Sequence, residues 1–297
     1  MEYFYLKIGE GNGLARDWLA GKNPLHRPAA VIWFDNYSQQ QYRQGKGKAE
    51  PRSFWQRGQK KFYNETLMVV VHDGEIWILR PAGRVRFLRS EKAGNARRTP
   101  KVMPVKVLAH RNAKDVSPVL TCITANQYLT RGTFRRIHDD WGNYKAIDCV
   151  VGSRQVGDHW EPAKQGAGQL LECLASTELE TLIAKLFEAH GCFVPAYRGG
   201  AMKDIDLFVH NDGDRAIHLG GLQVPPKQRV SVQIRRWSND FTKPSCVDYL
   251  VGLDVKGHNS FDADWILARV KECPPVASWL RRSLDWLPRT FLSAFGL

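Results

Sequence analysis

The chain has 297 residues, of which 43% are hydrophobic, and its 43 Lys and Arg against 30 Asp and Glu give a formal net charge of +13. It contains no run of about eighteen apolar residues, and its first residues lack the basic-then-apolar order of a secretory signal, so we expect a cytoplasmic protein without a membrane span. The six cysteines are scattered singly without a CxxC pair, which excludes a zinc ribbon or a redox motif of that type and predicts reduced thiols.

The positive charge is confined to the first part of the chain. Residues 1–170 carry 28 Lys and Arg against 15 Asp and Glu, whereas residues 171–297 carry 15 of each. The length favours two domains, and we predict a basic module over residues 1–165 and a second domain over residues 166–297. The asymmetry predicts that the first module binds nucleic acid; a basic surface that only aids solubility is the alternative.

Taken in chain order, the first module is predicted to be mostly β-structure. YFYLKIG alternates as a strand does, LMVVVHDG and EIWILRP form a hairpin around Asp73 and Gly74, and RVRFLRS continues them as a meander. Residues 90–114 are basic and punctuated by prolines, which predicts a loop, and AIDCVV predicts a further strand. This architecture and its aromatic content resemble the PUA/EVE group of nucleic-acid and modified-base readers.

Aromatic and basic side chains are interleaved between Trp33 and Tyr63. Such a mixture can stack on bases and neutralise phosphates, although several of the aromatic residues could instead form the core of a small barrel. A second basic group follows at residues 131–136, for which a solvated face is the alternative. The predicted nucleic-acid-binding residues are Lys46, Lys48, Arg52, Arg57, Lys60, Lys61, Arg131, Arg135 and Arg136.

The second domain is predicted to begin with a helix from Ser176, whose hydroxyl would cap it, to His190-Gly191, where glycine can end it. Apolar residues recur along it at helical spacing, so one face is buried. Glu180 lies beside that face, where a lone carboxylate is costly unless it is paired or bound to a metal. A helix acid that faces solvent is the alternative.

Two strands are predicted after this helix, KDIDLFV and VSVQIRRW. Because side chains two apart on a strand share a face, Asp204 and Asp206 point to one side, and Gln233 and Arg235 share a face of the second strand. Neighbouring strands would therefore present Asp206, Gln233 and Arg235 to a common surface. Glu180 lies on the helix that could cover this surface.

The segments ELETLIAKLFEAHGCFV, KDIDLFV and VSVQIRRW resemble the helix, acidic strand and Gln-x-Lys strand of restriction-endonuclease-like nucleases of the PD-(D/E)xK group, nearest the Mrr-like branch. The resemblance implies that Glu180, Asp206, Gln233 and Arg235 are catalytic. It also implies that Glu180, Asp206 and Gln233 bind Mg²⁺ or Mn²⁺ for phosphodiester hydrolysis. The implied fold is an α/β domain with a central mixed sheet, so that the whole chain would be α+β, with a mostly-β, small-barrel-like module first.

The sequence departs from the family pattern at Arg235, which stands where the family has lysine. Arginine keeps its proton, so it can stabilise charge on a phosphate but cannot act as a general base. The base role would pass to water activated by the metal, or to Lys203 or Lys227.

The leading functional prediction is therefore a metal-dependent endonuclease that favours DNA over RNA, in restriction, antiviral defence or mobile-element processing, as a homodimer or as a subunit of a larger nucleoprotein complex. The alternative is a catalytically inactive nuclease fold that binds nucleic acid as a subunit of a larger complex. A sensor of modified bases coupled to cleavage is a third hypothesis.

Overall fold

The computed structural model describes residues 1–33, 37–89, 91–93, 96–125, 129, 131–138, 143–152, 166–195, 204–236 and 246–297. The described residues up to 152 belong to one compact unit, and those from 166 onward belong to a second. The predicted boundary, between residues 165 and 166, adjoins the segment 153–165, which lies outside the described residues. No helix in the described ranges is both long enough and apolar enough to cross a membrane.

The first unit is built from short helices and a set of mostly antiparallel strands. Its strands are β1 (Glu2–Leu6), β2 (Ala29–Ile32), β3 (Thr66–His72), β4 (Glu75–Pro81), β5 (Arg86–Phe87), β6 (Glu91–Ala93), β7 (Ala96–Arg98), β8 (Lys101–Asn112) and β9 (Phe134–Arg136). Its α-helices are α1 (Ala15–Leu19), α2 (Gln39–Arg43), α3 (Ala49–Arg57), α4 (Pro118–Thr121) and α5 (Asn143–Val151).

A curled mixed sheet organises this unit, with the strand order β2-β8-β4-β3-β1-β9. Among the described strands of this sheet, the pair β1 and β3 is parallel and the other pairs are antiparallel. β5 pairs with β8, outside the main strand order. β6 and β7 form a separate two-stranded sheet. The turn between β3 and β4 has positive φ at Asp73 (51°) and Gly74 (72°), the backbone that a tight hairpin requires. The predicted hairpin is therefore confirmed.

Three sequence-based predictions for this unit are wrong. The segment predicted as the strand AIDCVV lies in helix α5, and the predicted loop over residues 90–114 contains the twelve-residue strand β8. β8, rather than β5, is the neighbour of β4. The three strands are therefore not the predicted meander.

The second unit combines a four-stranded sheet with helices. Its strands are β10 (Leu207–Asn211), β11 (Ile217–Leu219), β12 (Leu222–Val224), β13 (Gln228–Arg235), β14 (Tyr249–Gly252) and β15 (Ser260–Phe261). Its α-helices are α6 (Ala167–Leu171), α7 (Ser176–Ala189), α8 (Ala263–Glu272), α9 (Pro274–Ser283) and α10 (Arg289–Ala294).

The sheet order is β10-β13-β14-β15, with β10 antiparallel to β13 and the other pairs parallel. The mixed α/β class predicted for the chain is confirmed at this level. The end of the chain forms two helices, α9 and α10. Asp262 caps α8, since its carboxylate accepts a hydrogen bond from Trp265 N at 3.0 Å.

The two faces of β10 and β13 have different surroundings. Leu207, Val209, Val230 and Val232 share a core with the apolar side of α7, and we call their side the core face. We call the opposite side the polar face; it carries Phe208, His210, Arg229, Ser231 and Gln233.

Candidate metal and phosphate site

Helix α7 has the register that the sequence predicts, with a different cap. Leu179, Ile183 and Leu186 are buried, and Gly191 has a φ of 87° just beyond the helix. The N-cap residue is Ala175 rather than Ser176, so the predicted serine cap is wrong. The Glu178 carboxylate instead accepts a hydrogen bond from Ala175 N at 2.8 Å, which satisfies one of the unpaired donors of the first turn.

Asp206 lies just before β10 and contacts the backbone of β13 beside Gln233. The last pair of the β10–β13 ladder is Leu207 with Val232, and Asp206 N also donates to Val232 O at 3.0 Å. The Asp206 carboxylate accepts a hydrogen bond from Ile234 N. Because Val232 and Ile234 flank Gln233, Asp206 lies next to Gln233 along β13.

The Asp206 carboxylate is half-buried and anchored to the neighbouring strand. Its Oδ2 accepts a hydrogen bond from Ile234 N at 2.6 Å. Burial raises the pKa of Asp206, the bond from Ile234 and the charge of Arg235 oppose this rise, and the charge of Asp204 adds to it. Since burial is the largest of these effects, the ionised carboxylate would be stabilised by a further cation at this position.

Gln233 is buried with only 2% of its surface exposed. Its Oε1 is inaccessible and accepts no hydrogen bond from any residue that the structure describes. A buried acceptor without a partner lowers the free energy of unfolding by about 1–3 kcal/mol. A buried glutamine oxygen of this kind beside the Asp206 carboxylate therefore needs an explanation. Carboxylate and amide oxygens are ligands that Mg²⁺ accepts, and the two side chains fit such an ion.

Arg235 lies beside this pair, in contact with a second acid. Its Nη2 is 3.6 Å from Asp204 Oδ1, and the two side chains are 37% and 29% exposed. Asp204 has a positive φ of 72°, an uncommon conformation outside glycine that marks the sharp entry into β10. The guanidinium is therefore held at the edge of the site.

The start of α7 is close to the end of β13. Arg236, which follows β13, donates from Nη2 to Glu172 O at 2.5 Å. Its charge also acts on Glu178: burial raises the pKa of Glu178, and the bond from Ala175 and the charge of Arg236 oppose the rise. Glu180 follows Glu178 by two residues and is half-buried, so it belongs to this end of the sheet.

The far end of α7 fixes the direction of the helix along the sheet. Phe193, soon after the helix, exchanges backbone hydrogen bonds of 2.9 and 2.8 Å with His210. Glu180 is about 15 Å back along the helix from that end, and Asp206 is about 13 Å back along the strand. Glu180 and Asp206 are thus at the same end of the sheet.

The structure does not bring all the predicted ligands onto one face. The buried side of α7 packs on the core face, whereas Gln233 lies on the polar face and Asp206 lies just before β10. Within the described ranges, no group of three or more His, Cys, Asp or Glu side chains could hold a metal ion. Glu180 is therefore level with Asp206, on the helix that covers the other side of the sheet.

Two lysines, Lys203 and Lys227, are the candidates for the base that Arg235 cannot provide. Lys203 lies outside the described residues. Lys227 is in the turn before β13, about 20 Å along the strand from Gln233, where its Nζ donates to Asp212 O at 2.6 Å and pairs with Asp214 at 3.1 Å. The prediction that Lys227 could serve as the base is therefore wrong.

Three further residues shape the site, and the sequence points to only one of them, Asp204, through its spacing from Asp206. Asp204 binds Arg235, Arg236 joins β13 to the start of α7, and Asp248 accepts two 2.8 Å hydrogen bonds from Ser231 on the polar face. Asp248 had no sequence signal, because its partner is 17 residues away.

The predicted nucleic-acid-binding residues of the first unit fall into two groups. Arg52 is half-buried and donates to Gly45 O at 2.8 Å, beside a loop in which Gly45 and Gly47 have positive φ. The residues with exposed side chains are Lys46, Lys48, Lys60, Lys61, Arg131 and Arg136.

Two of the predicted arginines are committed to contacts inside the first unit. Arg57 pairs with Glu2 and lies over the rings of Phe4 and Phe62, at 5.0 and 4.7 Å. Arg135 Nε is 2.5 Å from Glu50 Oε1. Arg136, although exposed, is 3.9 Å from Glu2. Arg57 and Arg135 thus have partners within the first unit, which the prediction that they contact phosphate did not include.

Comparison with known proteins yields no relative. No protein-family model matches the sequence, no curated protein is detectably similar to it, and no solved structure matches its fold. The residues and their geometry therefore have to support any functional assignment.

Proposed function

We propose that the chain is a Mg²⁺- or Mn²⁺-dependent nuclease that hydrolyses phosphodiester bonds in DNA, with a restriction-endonuclease-like second unit and a basic, small-barrel-like first unit. The observation that supports it best is the pair formed by Asp206 and Gln233. One is an anchored carboxylate, and the other is a buried amide oxygen without a partner among the described residues. Arg235 is adjacent to both.

In this proposal Asp206 and Gln233 hold the ion, and Glu180, on the helix that covers the core face, is not one of its ligands. The ion, when bound, would supply charge stabilisation at the phosphate and activate water. Ile234 N orients the Asp206 carboxylate, which directs its remaining lone pairs away from the strand. Arg235 would stabilise the charge that develops on the phosphate, a role that its permanent proton permits.

The first unit would hold the substrate through its exposed basic residues. Lys46, Lys48, Lys60, Lys61 and Arg131 are accessible, so they can replace counterions along a phosphate backbone. Such contacts position a duplex without reading its sequence.

The direct test is cleavage of supercoiled and linear DNA in Mg²⁺ or Mn²⁺ by the wild type and by Asp206→Asn. Asparagine retains an acceptor for Ile234 N and removes only the charge, so a loss of cleavage would be due to the missing carboxylate. Asp212→Asn is the matched control, since that exposed aspartate lies at the other end of the hairpin. Equal cleavage by Asp206→Asn and the wild type would refute the proposal.

A second candidate function is nucleic-acid binding without catalysis. It is favoured by the ion pair between Arg235 and Asp204, and by the lack of a three-carboxylate cluster among the described residues. It predicts salt-dependent DNA binding that is the same with and without divalent metal. Arg235→Lys separates the two: cleavage gained from an inert parent supports the binding scaffold, and cleavage already present in the parent excludes it.

A further inference from the structure

An aromatic patch continues the polar face away from Asp206. We define the aromatic patch as Phe193, Phe208, His210 and Arg229. Phe193 is 55% exposed, Arg229 is exposed, and Phe208 and His210 are half-buried. A contiguous exposed patch, unlike a single exposed apolar side chain, marks a binding surface.

The four residues of the aromatic patch are connected by contacts between their side chains or backbones. The rings of Phe193 and His210 are 6.0 Å apart and nearly perpendicular, and their backbones pair. His210 is opposite Arg229 in the ladder, and the Arg229 guanidinium lies 4.8 Å from the centre of the Phe208 ring. These contacts make one continuous surface rather than four separate exposures.

The register connects this surface to the candidate site. Phe208 and His210 share the polar face about 6.6 Å apart, and Asp206 lies one residue before β10, at the end of the strand nearer to Phe208. Phe193 is opposite His210 and therefore belongs to the same face. A nucleic-acid strand bound at Asp206 would therefore have the aromatic rings and the Arg229 guanidinium beside its neighbouring nucleotides.

We infer that the aromatic patch binds unpaired bases of a single-stranded nucleic acid whose backbone passes Asp206. Aromatic rings stack on bases of any identity, and an exposed guanidinium can contact the phosphate between them. Stacked bases inside a duplex cannot reach such rings. This inference rests on the proposed nuclease function and specifies its substrate as single-stranded or locally opened DNA.

The test is binding by the full chain in EDTA, so that no cleavage occurs. The probes are three fluorescent strands of equal length: oligo-dT, a duplex, and a strand of abasic sites with the same phosphates. Phe193→Ala should weaken oligo-dT binding about five- to 150-fold, and leave binding of the abasic strand and the duplex unchanged. Phe193→Leu keeps the apolar bulk without the ring and should show most of the same loss.

Two arginines of the same hairpin provide a matched pair. Arg229→Gln should weaken binding of oligo-dT and of the abasic strand, whereas Arg215→Gln, an exposed position outside the patch, should change neither. Unchanged oligo-dT binding by Phe193→Ala, or equal losses on oligo-dT and the abasic strand, would overturn the inference. So would a protein dimer that Phe193→Ala dissociates without altering DNA binding, because the patch would then bind a second copy of the chain.

Failure of this inference can be distinguished from failure of the proposed function. If Asp206→Asn abolishes metal-dependent cleavage while Phe193→Ala binds oligo-dT normally, the nuclease stands and the patch does not. If Phe193→Ala loses oligo-dT binding while Asp206→Asn cleaves like the wild type, the patch binds bases and the metal site is elsewhere.

Discussion

Replacing Gln233 should make the protein more stable and inactive. Gln233→Met removes a buried acceptor that has no partner among the described residues and retains a side chain of similar length. The unsatisfied oxygen costs about 1–3 kcal/mol, so the variant should gain up to that amount when no metal is present. For a unit of this size, each kcal/mol raises the midpoint of thermal unfolding by roughly 3–5 °C.

The assay is calorimetric unfolding of the full chain with EDTA and again with Mg²⁺. Wild type should gain about 2.7 kcal/mol at a metal concentration a hundred times the dissociation constant, and Gln233→Met should gain much less. Gln228→Met is the control, because that glutamine is exposed on the same strand and its replacement should change stability by less than about 0.5 kcal/mol. A Gln233→Met variant that is less stable than wild type in EDTA would show that the amide has a partner, and the reasoning would fail.

Three further outcomes are expected. Burial holds the pKa of Glu178 above its usual 4.5, so the stability that the buried carboxyl group contributes is complete at low pH and is lost as pH rises through the folded pKa. Glu178→Gln keeps the acceptor for Ala175 N and cannot ionise. In urea unfolding, this variant should therefore be more stable than wild type at pH 7 and equally stable near pH 4. Lys60→Gln with Lys61→Gln should lower the slope of log affinity for duplex DNA against log salt by about 2. Arg57→Gln should leave that slope unchanged and lower the unfolding free energy by about 1–3 kcal/mol, because Glu2 loses its partner.

The elements that carry the candidate site could be predicted because their signals are local. Alternation in VSVQIRRW distinguishes the face of Val232 from that of Gln233, and helical spacing identifies the buried side of α7. Strands that follow one another in the chain are usually neighbours in a sheet, and the structure pairs β10 with β13 although β11 and β12 lie between them in the chain.

The errors arise where distant contacts decide the local structure. The AIDCVV segment has strand-forming residues, yet it is helical in α5, where Asp148 accepts a 3.0 Å hydrogen bond from the Tyr3 hydroxyl and the Tyr144 ring stacks on that of Tyr3 at 4.1 Å. Those partners are more than 140 residues apart in the chain. In β8, Pro104 has no N–H to donate to the ladder, which argues against a strand, but its carbonyl still accepts a hydrogen bond from Ala82 N at 2.8 Å. Propensity alone cannot anticipate such partners.

Arginine and lysine at position 235 would carry the same charge and differ in proton chemistry. Asp204 and Asp206 contribute two negative charges beside Arg235, which contributes one positive charge, so the site stays negative and can take up a divalent cation. A lysine at position 235 would give the same balance, so metal affinity should be similar in Arg235→Lys. Only the lysine could release a proton near neutral pH, and then only if burial lowered its pKa. An effect of Arg235→Lys on the pH dependence of cleavage, at unchanged metal affinity, would therefore separate proton transfer from electrostatic stabilisation in this site.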